Sequence, residues 1–320
     1  MPYLIGTDEA GYAPNLGPLV ISASVWWVDD SSTSDNLYQR LKSVICKSLT
    51  RRGDTGRLAI ADSKILYSPG RGLGALERGV LAALALVDHC PDDWLDIWQL
   101  LDQASFVDLP RLPWHEGYDL RLPMAADLED LGQLVPKLRR GFERAGVRLV
   151  ALQSKAVFPE QFNQSNDDLG NKAETLSRIT LGLIAEMLAH CDGPALIVCD
   201  KHGGRNHYGR LLQQQFPEPL IEVHSEGAAE SIYRWGPPER RIEVRFRAGG
   251  EAFMPAALAS MTSKYLRELA MRAFNDFWCT RVPELAPTAG YPLDAKRFRD
   301  AIQEAQLELG IADRVLWRVR

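Results

Sequence analysis

The stretch that most limits what this chain can become runs from Tyr3 to Val28. An apolar run, Tyr3-Leu4-Ile5-Gly6-Thr7, ends in two adjacent acids, Asp8 and Glu9. A bend rich in Gly, Pro and Asn follows, and a second apolar run begins at Leu19. The pattern predicts strand, turn, strand. Adjacent side chains on a strand point to opposite faces, so the two acids cannot both be simply solvated if the first strand lies inside a sheet. An exposed acidic hairpin turn is the plain alternative. A hard divalent cation held by oxygen ligands is the usual reason for carboxylates at such a place.

A second run has the same form. Ala195-Leu196-Ile197-Val198-Cys199 is continuously apolar and ends in Asp200. A buried strand with an acid at its C-terminal end is a recurrent active-site position in α/β sheets. Between these runs, residues 35–51 read as mixed and partly helical, with a polar loop at Gly53 and Gly56. The segment 73–88 carries a helical apolar stripe, and residues 91–134 have little periodicity. A helix over 133–146 ends at Gly146, a strand covers 147–154, and a helix runs from Asn171 to about His190. Trp94, Trp98 and Trp114 are read as core residues of the aperiodic segment rather than base-stacking platforms.

After Asp200 comes a dense set of donors, Lys201-His202-Gly203-Gly204-Arg205. The glycines would let backbone amides approach a phosphate, and Lys201, His202 and Arg205 would neutralise charge. A glycine turn leading into a helix near Arg205 is equally open. His202 and His207 lack the spacing that aligns metal ligands on a helix. Residues 220–224 read as a strand, 226–233 as a turn and short helix, and 241–247 as a half-exposed edge strand with an alternating polar face. A helix follows from Ala256, with Lys264 and Glu268 four apart on one face. From Arg297 the pattern gives a helix and a basic tail ending Arg318-Val319-Arg320.

Several of these stretches together resemble type 2 ribonuclease H. Gly6-Thr7-Asp8-Glu9-Ala10-Gly11 with Gly17-Pro18 is similar to that family's opening G-x-D-E-A-G-R-G-P-x-x-G-P. Asp62-Ser63-Lys64 resembles its D-S-K-K-L segment, and Ala257 to Met271 resembles its A-A-S-I-x-A-K-V-x-R-D-x-x-M helix. Ala289-Gly290-Tyr291-Pro292 resembles its G-Y-G turn. The resemblance implies an α/β fold, a ribonuclease-H-like mixed sheet flanked by helices. It would form one elaborated domain over 1–320, with an insertion at about 91–146 and a C-terminal helical part at about 256–320.

It further implies four convergent carboxylates, Asp8, Glu9, Asp200 and Glu268, as catalytic residues holding two Mg²⁺ or Mn²⁺ ions. Gly11, Tyr12, Ala13, Asp62, Ser63, Lys64, Lys201, His202, Arg205, Lys264 and Tyr291 would line the substrate groove. Read without the resemblance, Asp62 or Ser63 would be a helix N-cap, with Lys64 solvated. The implied activity is hydrolysis of RNA in RNA/DNA hybrids to 5′-phosphate products. Two positions depart from the family: Tyr12-Ala13 stands where it has Arg-Gly, and Glu268 where it has Asp. A nuclease of the same fold with another nucleic-acid substrate, or a non-catalytic binding homologue, is therefore also open.

Composition sets the outer bounds. With 320 residues the chain can bury a large core. A net charge of −5 does not advertise a nucleic-acid binder, but it leaves room for a local basic groove. The five cysteines include no CxxC pair, which disfavours a zinc site and fits a reducing cytoplasm. No signal peptide, membrane span or protein partner is evident from the pattern.

Overall fold

A computed structural model describes residues 2–29, 36–48 and 56–319; the predicted loop at Gly53 lies outside them. In chain order the elements are β1 (Tyr3–Ala10), β2 (Leu19–Val28), α1 (Leu37–Arg40), β3 (Ile45–Cys46), β4 (Leu58–Ala59), α2 (Ser63–Leu66) and α3 (Gly74–Leu86). Next come α4 (Trp94–Leu101), α5 (Gln103–Asp108), α6 (Leu128–Ala145), β5 (Val147–Val157), α7 (Pro159–Leu169), α8 (Lys172–Leu188) and β6 (Ala195–Asp200). The last are α9 (Gly209–Gln215), β7 (Glu222–Glu226), β8 (Glu230–Trp235), β9 (Ile242–Arg247), α10 (Met254–Arg281), α11 (Pro292–Glu308) and α12 (Asp313–Leu316).

Seven strands form one mixed sheet in the order β5-β2-β1-β6-β9-β8-β7. β1 is antiparallel to β2 and parallel to β6, and β6 is parallel to β9. Helices cover both faces. Leu4, Val20, Leu196 and Val198 pack on the side of α3, α6 and α10, while Ile5, Ile21, Ile197 and Val244 pack on the side of α8 and α9. Two buried faces explain why the central strands read as unbroken apolar runs rather than alternating ones. Each fully buried Leu or Ile there contributes about 1.5–3 kcal/mol relative to exposure. The expected mixed sheet flanked by helices is what the structure has.

Two local expectations are corrected. Residues 230–235 form strand β8 rather than a short helix; Ile232 pairs with Arg245 of β9 and Tyr233 with Val244. With β8 on one side and β6 on the other, β9 is an interior strand and not an edge. Its Glu243 is buried and ion-paired with the half-buried Arg234 and Arg245, so these charges satisfy each other across β8 and β9. Trp94, Trp98 and Trp114 are buried as read; Trp114 meets Phe274 of α10 at 5.0 Å between ring centroids. Helix α6 starts earlier than its pattern suggested, at Leu128, capped by Asp127, and ends at left-handed Gly146.

Candidate active site

The strand register builds the site. β1 and β6 run side by side in parallel, with Thr7 opposite Cys199. One step further along, where β6 ends and its pairing with β1 stops, Asp8 and Asp200 stand next to each other. Parallel neighbours are about 4.8 Å apart, and both residues fall on the face of α10 by alternation from Leu4 and Val198. Glu9 falls on the opposite face. Gly6, two residues before Asp8, permits the contact that fixes α10 against β1. A Cβ there would lie 2.0 Å from the Ala256 nitrogen, so no side chain fits.

Asp8 and Glu9 keep part of their surface open to solvent, yet protein surrounds both carboxyls. Burial pushes the Asp8 carboxyl up; the Ser260 hydroxyl partly offsets this, and the charges of Asp200 and Asp62 add to it. Burial also pushes Glu9 up, reinforced by Asp8 and then Asp200. Each acid makes its neighbours harder to ionise. The cation facing this group is exposed Lys64, whose pKa is raised by Asp62 first, and further by Asp8, Glu251 and Asp200. Behind the acids lies a buried row of hydroxyls. Ser263 is 2.9 Å from the Asp8 carbonyl and 2.8 Å from the Ser22 hydroxyl, which is 2.8 Å from Ser154.

Sequence reasoning missed Glu251. It sits in the short turn before α10, beside Gly250, whose amide points at the Asp200 carboxylate at 3.5 Å. Gly249-Gly250-Glu251 looks like any polar turn, and only the approach of Gly250 to the end of β6 makes it part of the site. A Cβ on Gly250 would lie 3.0 Å from the Asp200 nitrogen.

The structure distributes the other predicted residues unevenly. Glu268 is one helical turn past Lys264 and ion-paired to it, and it accepts a hydrogen bond from Tyr67 at 2.9 Å. Lys264 lies over the Tyr67 ring. Glu268 is thus held by its own partners and is not among the charges acting most strongly on Asp8 and Glu9, whereas Asp62 acts on Asp8. Asp62 also caps α2 by accepting from the Lys64 amide at 3.1 Å, so the capping role and a place at the site coexist.

Ser63 is buried and meets Ser260 at 3.1 Å. It braces α2 on α10, which corrects the reading of Ser63 as groove-lining. His202 is also corrected: it is buried, 3.0 Å from the Ser177 hydroxyl, with its ring against Tyr208 and Phe246. Burial pushes it down to about 3, so it is a neutral core residue and not a phosphate-facing cation. Lys201 is turned to Asn206 (2.6 Å) and the Gly227 carbonyl.

Arg205 and Tyr12 are close enough that the arginine acts on the phenol, along with Glu9. Lys172 lies 4.6 Å above the Tyr12 ring, a neighbour no sequence signal indicated. Gly11 has φ 90° and Ala13 is exposed. Tyr291 is exposed next to Gly290, whose carbonyl accepts from the amides of Asn15 and Leu16 at 2.8 and 3.3 Å.

The site therefore gathers Asp8, Glu9, Asp200, Asp62 and Glu251 around the ends of β1 and β6, with Lys64 in front and the Gly11–Ala13 bend beside them. Their carboxylate oxygens are ligands suited to hard dications. Among the described residues, the group of three acids drawn within 4.8 Å of one another lies elsewhere, at Asp92, Asp93 and Asp96. There Asp93 caps α4, which accounts for its place.

No family model and no curated protein matches the chain. Solved structures to which it is similar include RNase HII of Archaeoglobus fulgidus in complex with PCNA, at 14% identity over 99% of this chain and 94% of that one, TM-score 0.45. Ribonuclease H2 of Pyrococcus horikoshii aligns at 14% identity over 98% of this chain and 92% of that one, TM-score 0.47. Bst-RNase HIII in complex with Mn²⁺ aligns at 12% identity over 99% of this chain and 66% of that one, TM-score 0.40.

Proposed function

We propose that the chain is a metal-dependent endonuclease of the type 2 ribonuclease H kind, hydrolysing the RNA strand of RNA/DNA hybrids to 5′-phosphate products. The observation that carries this reading is the parallel register of β1 and β6, Thr7 opposite Cys199, which one residue further brings Asp8 beside Asp200, with Glu9 next in sequence. Acids so placed repel one another, and burial raises Asp8 and Glu9 further. That arrangement costs stability unless a cation joins it. Among the described residues no helix is long and apolar enough to cross a membrane, and we place the chain in the cytoplasm.

Asp8, Glu9 and Asp200 would hold Mg²⁺ or Mn²⁺, with Glu268 released from Lys264 as the fourth ligand. When bound, two such ions supply an activated water and charge stabilisation for the leaving 3′-oxygen. The protein's own part is positional. Ser260 and the hydroxyl row fix Asp8 and its backbone, and the Gly250 amide orients Asp200. Lys64, exposed at the mouth, is placed to meet a phosphate of the bound strand. The Gly11–Ala13 bend and Tyr12, flanked by Lys172 and Arg205, lie where the sugar-phosphate backbone would pass.

Tyr12-Ala13 in place of Arg-Gly favours a second reading, a nuclease of this fold whose preferred substrate is a different nucleic-acid structure. One assay addresses both: cleavage of a labelled RNA/DNA hybrid and of a duplex carrying one ribonucleotide, with Mg²⁺ and Mn²⁺, beside Asp8→Asn. Metal-dependent cutting that vanishes in Asp8→Asn is the expected result, and the ratio between substrates measures what Tyr12-Ala13 changed. Tight hybrid binding without cutting would replace the enzyme by a binding protein. Neither cutting nor binding would remove the nucleic-acid reading.

A further inference from the structure

Arg318 reads in the sequence as part of a basic tail, but the structure buries it at 2% exposure beneath the Gly11–Pro18 loop. Its Nη2 donates to the Gly11 carbonyl at 2.6 Å and to the Pro14 carbonyl. Its backbone amide donates to the Asn15 carbonyl at 2.8 Å, and the Asn15 side-chain amide donates back to the Arg318 carbonyl at 3.0 Å. Trp317 bridges to Leu16. Asn163 of α7 holds the segment from the other side, donating to the Trp317 carbonyl at 2.8 Å and accepting from the Val319 amide at 2.8 Å. The guanidinium lies 5.1 Å over the Phe162 ring. It is paired with no carboxylate among the described residues, and its Nε and Nη1 have no hydrogen-bond partner there.

A second buried guanidinium reaches the same loop from α10. Arg267 donates to the carbonyls of Pro18 (2.6 Å), Leu16 (3.2 Å) and Ala289 (3.1 Å). Two like charges withdrawn from water, Arg318 spent wholly and Arg267 mostly on carbonyls of one loop, are an expensive way to hold a turn that a few apolar contacts would hold. What carbonyl bonds add is direction. A trans peptide points its C=O and the next N–H to opposite sides. With the Gly11 carbonyl turned down onto Arg318, the Tyr12 N–H is turned away from it, and no acceptor among the described residues meets that N–H. The Pro14 carbonyl is turned down likewise, and the Asn15 N–H reaches the Gly290 carbonyl instead.

We propose that Arg318 is a positioning residue for the substrate. It fixes the Gly11–Tyr12 peptide so that the Tyr12 N–H faces the site mouth, ready to donate to a sugar or phosphate oxygen of the bound strand. This rests on the nuclease reading for what is bound, but the state of the loop is measurable without any substrate.

The test uses the full chain with Arg318→Met and Arg318→Lys. Hydrogen exchange is followed at Asn15 and Leu16, whose amides report the loop through Gly290, alongside kcat and KM on the hybrid and on the single-ribonucleotide duplex. In Arg318→Met the Asn15 and Leu16 amides should exchange roughly tenfold faster while β1 and α10 keep their protection. The ratio of kcat/KM between the two substrates should shift by about threefold or more, and Arg318→Lys should recover part of both. Unchanged loop exchange in Arg318→Met overturns the proposal. So does uniform acceleration through β1 and α10 with an unchanged substrate ratio, because a merely structural residue scales both substrates alike. If Arg318→Met does not fold, Arg318→Lys is judged by the same criteria. A wild-type chain that cuts neither duplex would defeat the nuclease reading, and loop exchange would still decide whether Arg318 holds the loop.

Discussion

Glu77 and the acids at the ends of β1 and β6 are all carboxylates drawn away from water, and the molecule treats them in opposite ways. Glu77, on α3, is fully buried. Its two oxygens accept from the amides of Met124, Ala125 and Ala126 at 2.8, 2.6 and 2.7 Å and from the Tyr265 hydroxyl at 2.7 Å. Four donors fill its lone pairs, so it pins the 124–126 segment and α10 to α3. Among the described residues, Asp8 and Glu9 have instead the Glu9 backbone and, on Asp8 alone, the Ser260 hydroxyl, while Asp200 and Asp62 crowd Asp8, and Asp8 and Asp200 crowd Glu9. A carboxylate that the fold has saturated is scaffold. Carboxylates that the fold has crowded and left short of donors await something with positive charge.

That contrast predicts stability effects of opposite sign. Asp8→Asn removes a charge that burial and Asp200 oppose. In metal-free buffer its thermal midpoint should rise by roughly 3 °C, while hybrid cleavage falls on the order of 10³-fold. Cleavage that persists near wild-type rate in Asp8→Asn would erase the distinction between the two regions.

Glu77→Gln should do the reverse. It leaves backbone amides facing a group that cannot accept from all of them, at a cost of about 3–5 kcal/mol. Urea unfolding would read this as a lower midpoint with an unchanged slope. Below the transition the folded fraction should cut at the wild-type rate. A large loss of kcat with unchanged stability would mean that Glu77 acts on the chemistry through α10.

A smaller effect separates burial from crowding. His115 is buried beside Trp94, Trp114 and Phe158, away from the strand-end acids. Burial lowers its pKa from 6.5 to about 3, and neither ring nitrogen has a hydrogen-bond partner among the described residues. The unfolded chain therefore takes up a proton below pH 6.5 that the folded chain refuses. Its contribution to stability is complete above pH 6.5 and declines by about 1.4 kcal/mol per pH unit as the pH falls toward 3. His115→Phe should lack that decline. Unfolding free energies at pH 7.5, 6 and 5 for the two proteins give it as their difference, and parallel curves would show that His115 is not held neutral.

How far this was readable beforehand follows from how local each signal is. Asp200 was legible because a buried strand writes its whole length as an apolar run, and an acid at its end stands out. Asp8 and Glu9 were legible for the same reason. β8 was not: residues 230–235 alternate because Ser231, Tyr233 and Trp235 face the core, but six residues with three polar or charged positions look like a polar turn. His202 was misread because burial is set by Tyr208, Phe246 and Ser177, none of them adjacent to it. Glu251 and Arg318 carried no signal at all. Each becomes meaningful through a backbone remote in sequence, Asp200 for the one and the Gly11–Asn15 carbonyls for the other. A charge in a chain is read as solvated until something shows where it is folded.

The smallest effect concerns the cation on the Tyr12 ring. Lys172 opens α8 and sits 4.6 Å over that ring, a contact worth about 0.5–1 kcal/mol at a partly open site. Lys172→Met keeps the length of the side chain and most of its packing, so the thermal midpoint should move by only about 2 °C. Binding discriminates better. If Lys172 turns from Tyr12 to a phosphate when a hybrid binds, the slope of log affinity against log salt should shrink by about 1 in Lys172→Met, with kcat unchanged. If the slope is unchanged, Lys172 remains on Tyr12 in the complex and serves the loop rather than the strand. It would then belong with the saturated scaffold, beside Glu77, and the crowded region would end at Tyr12.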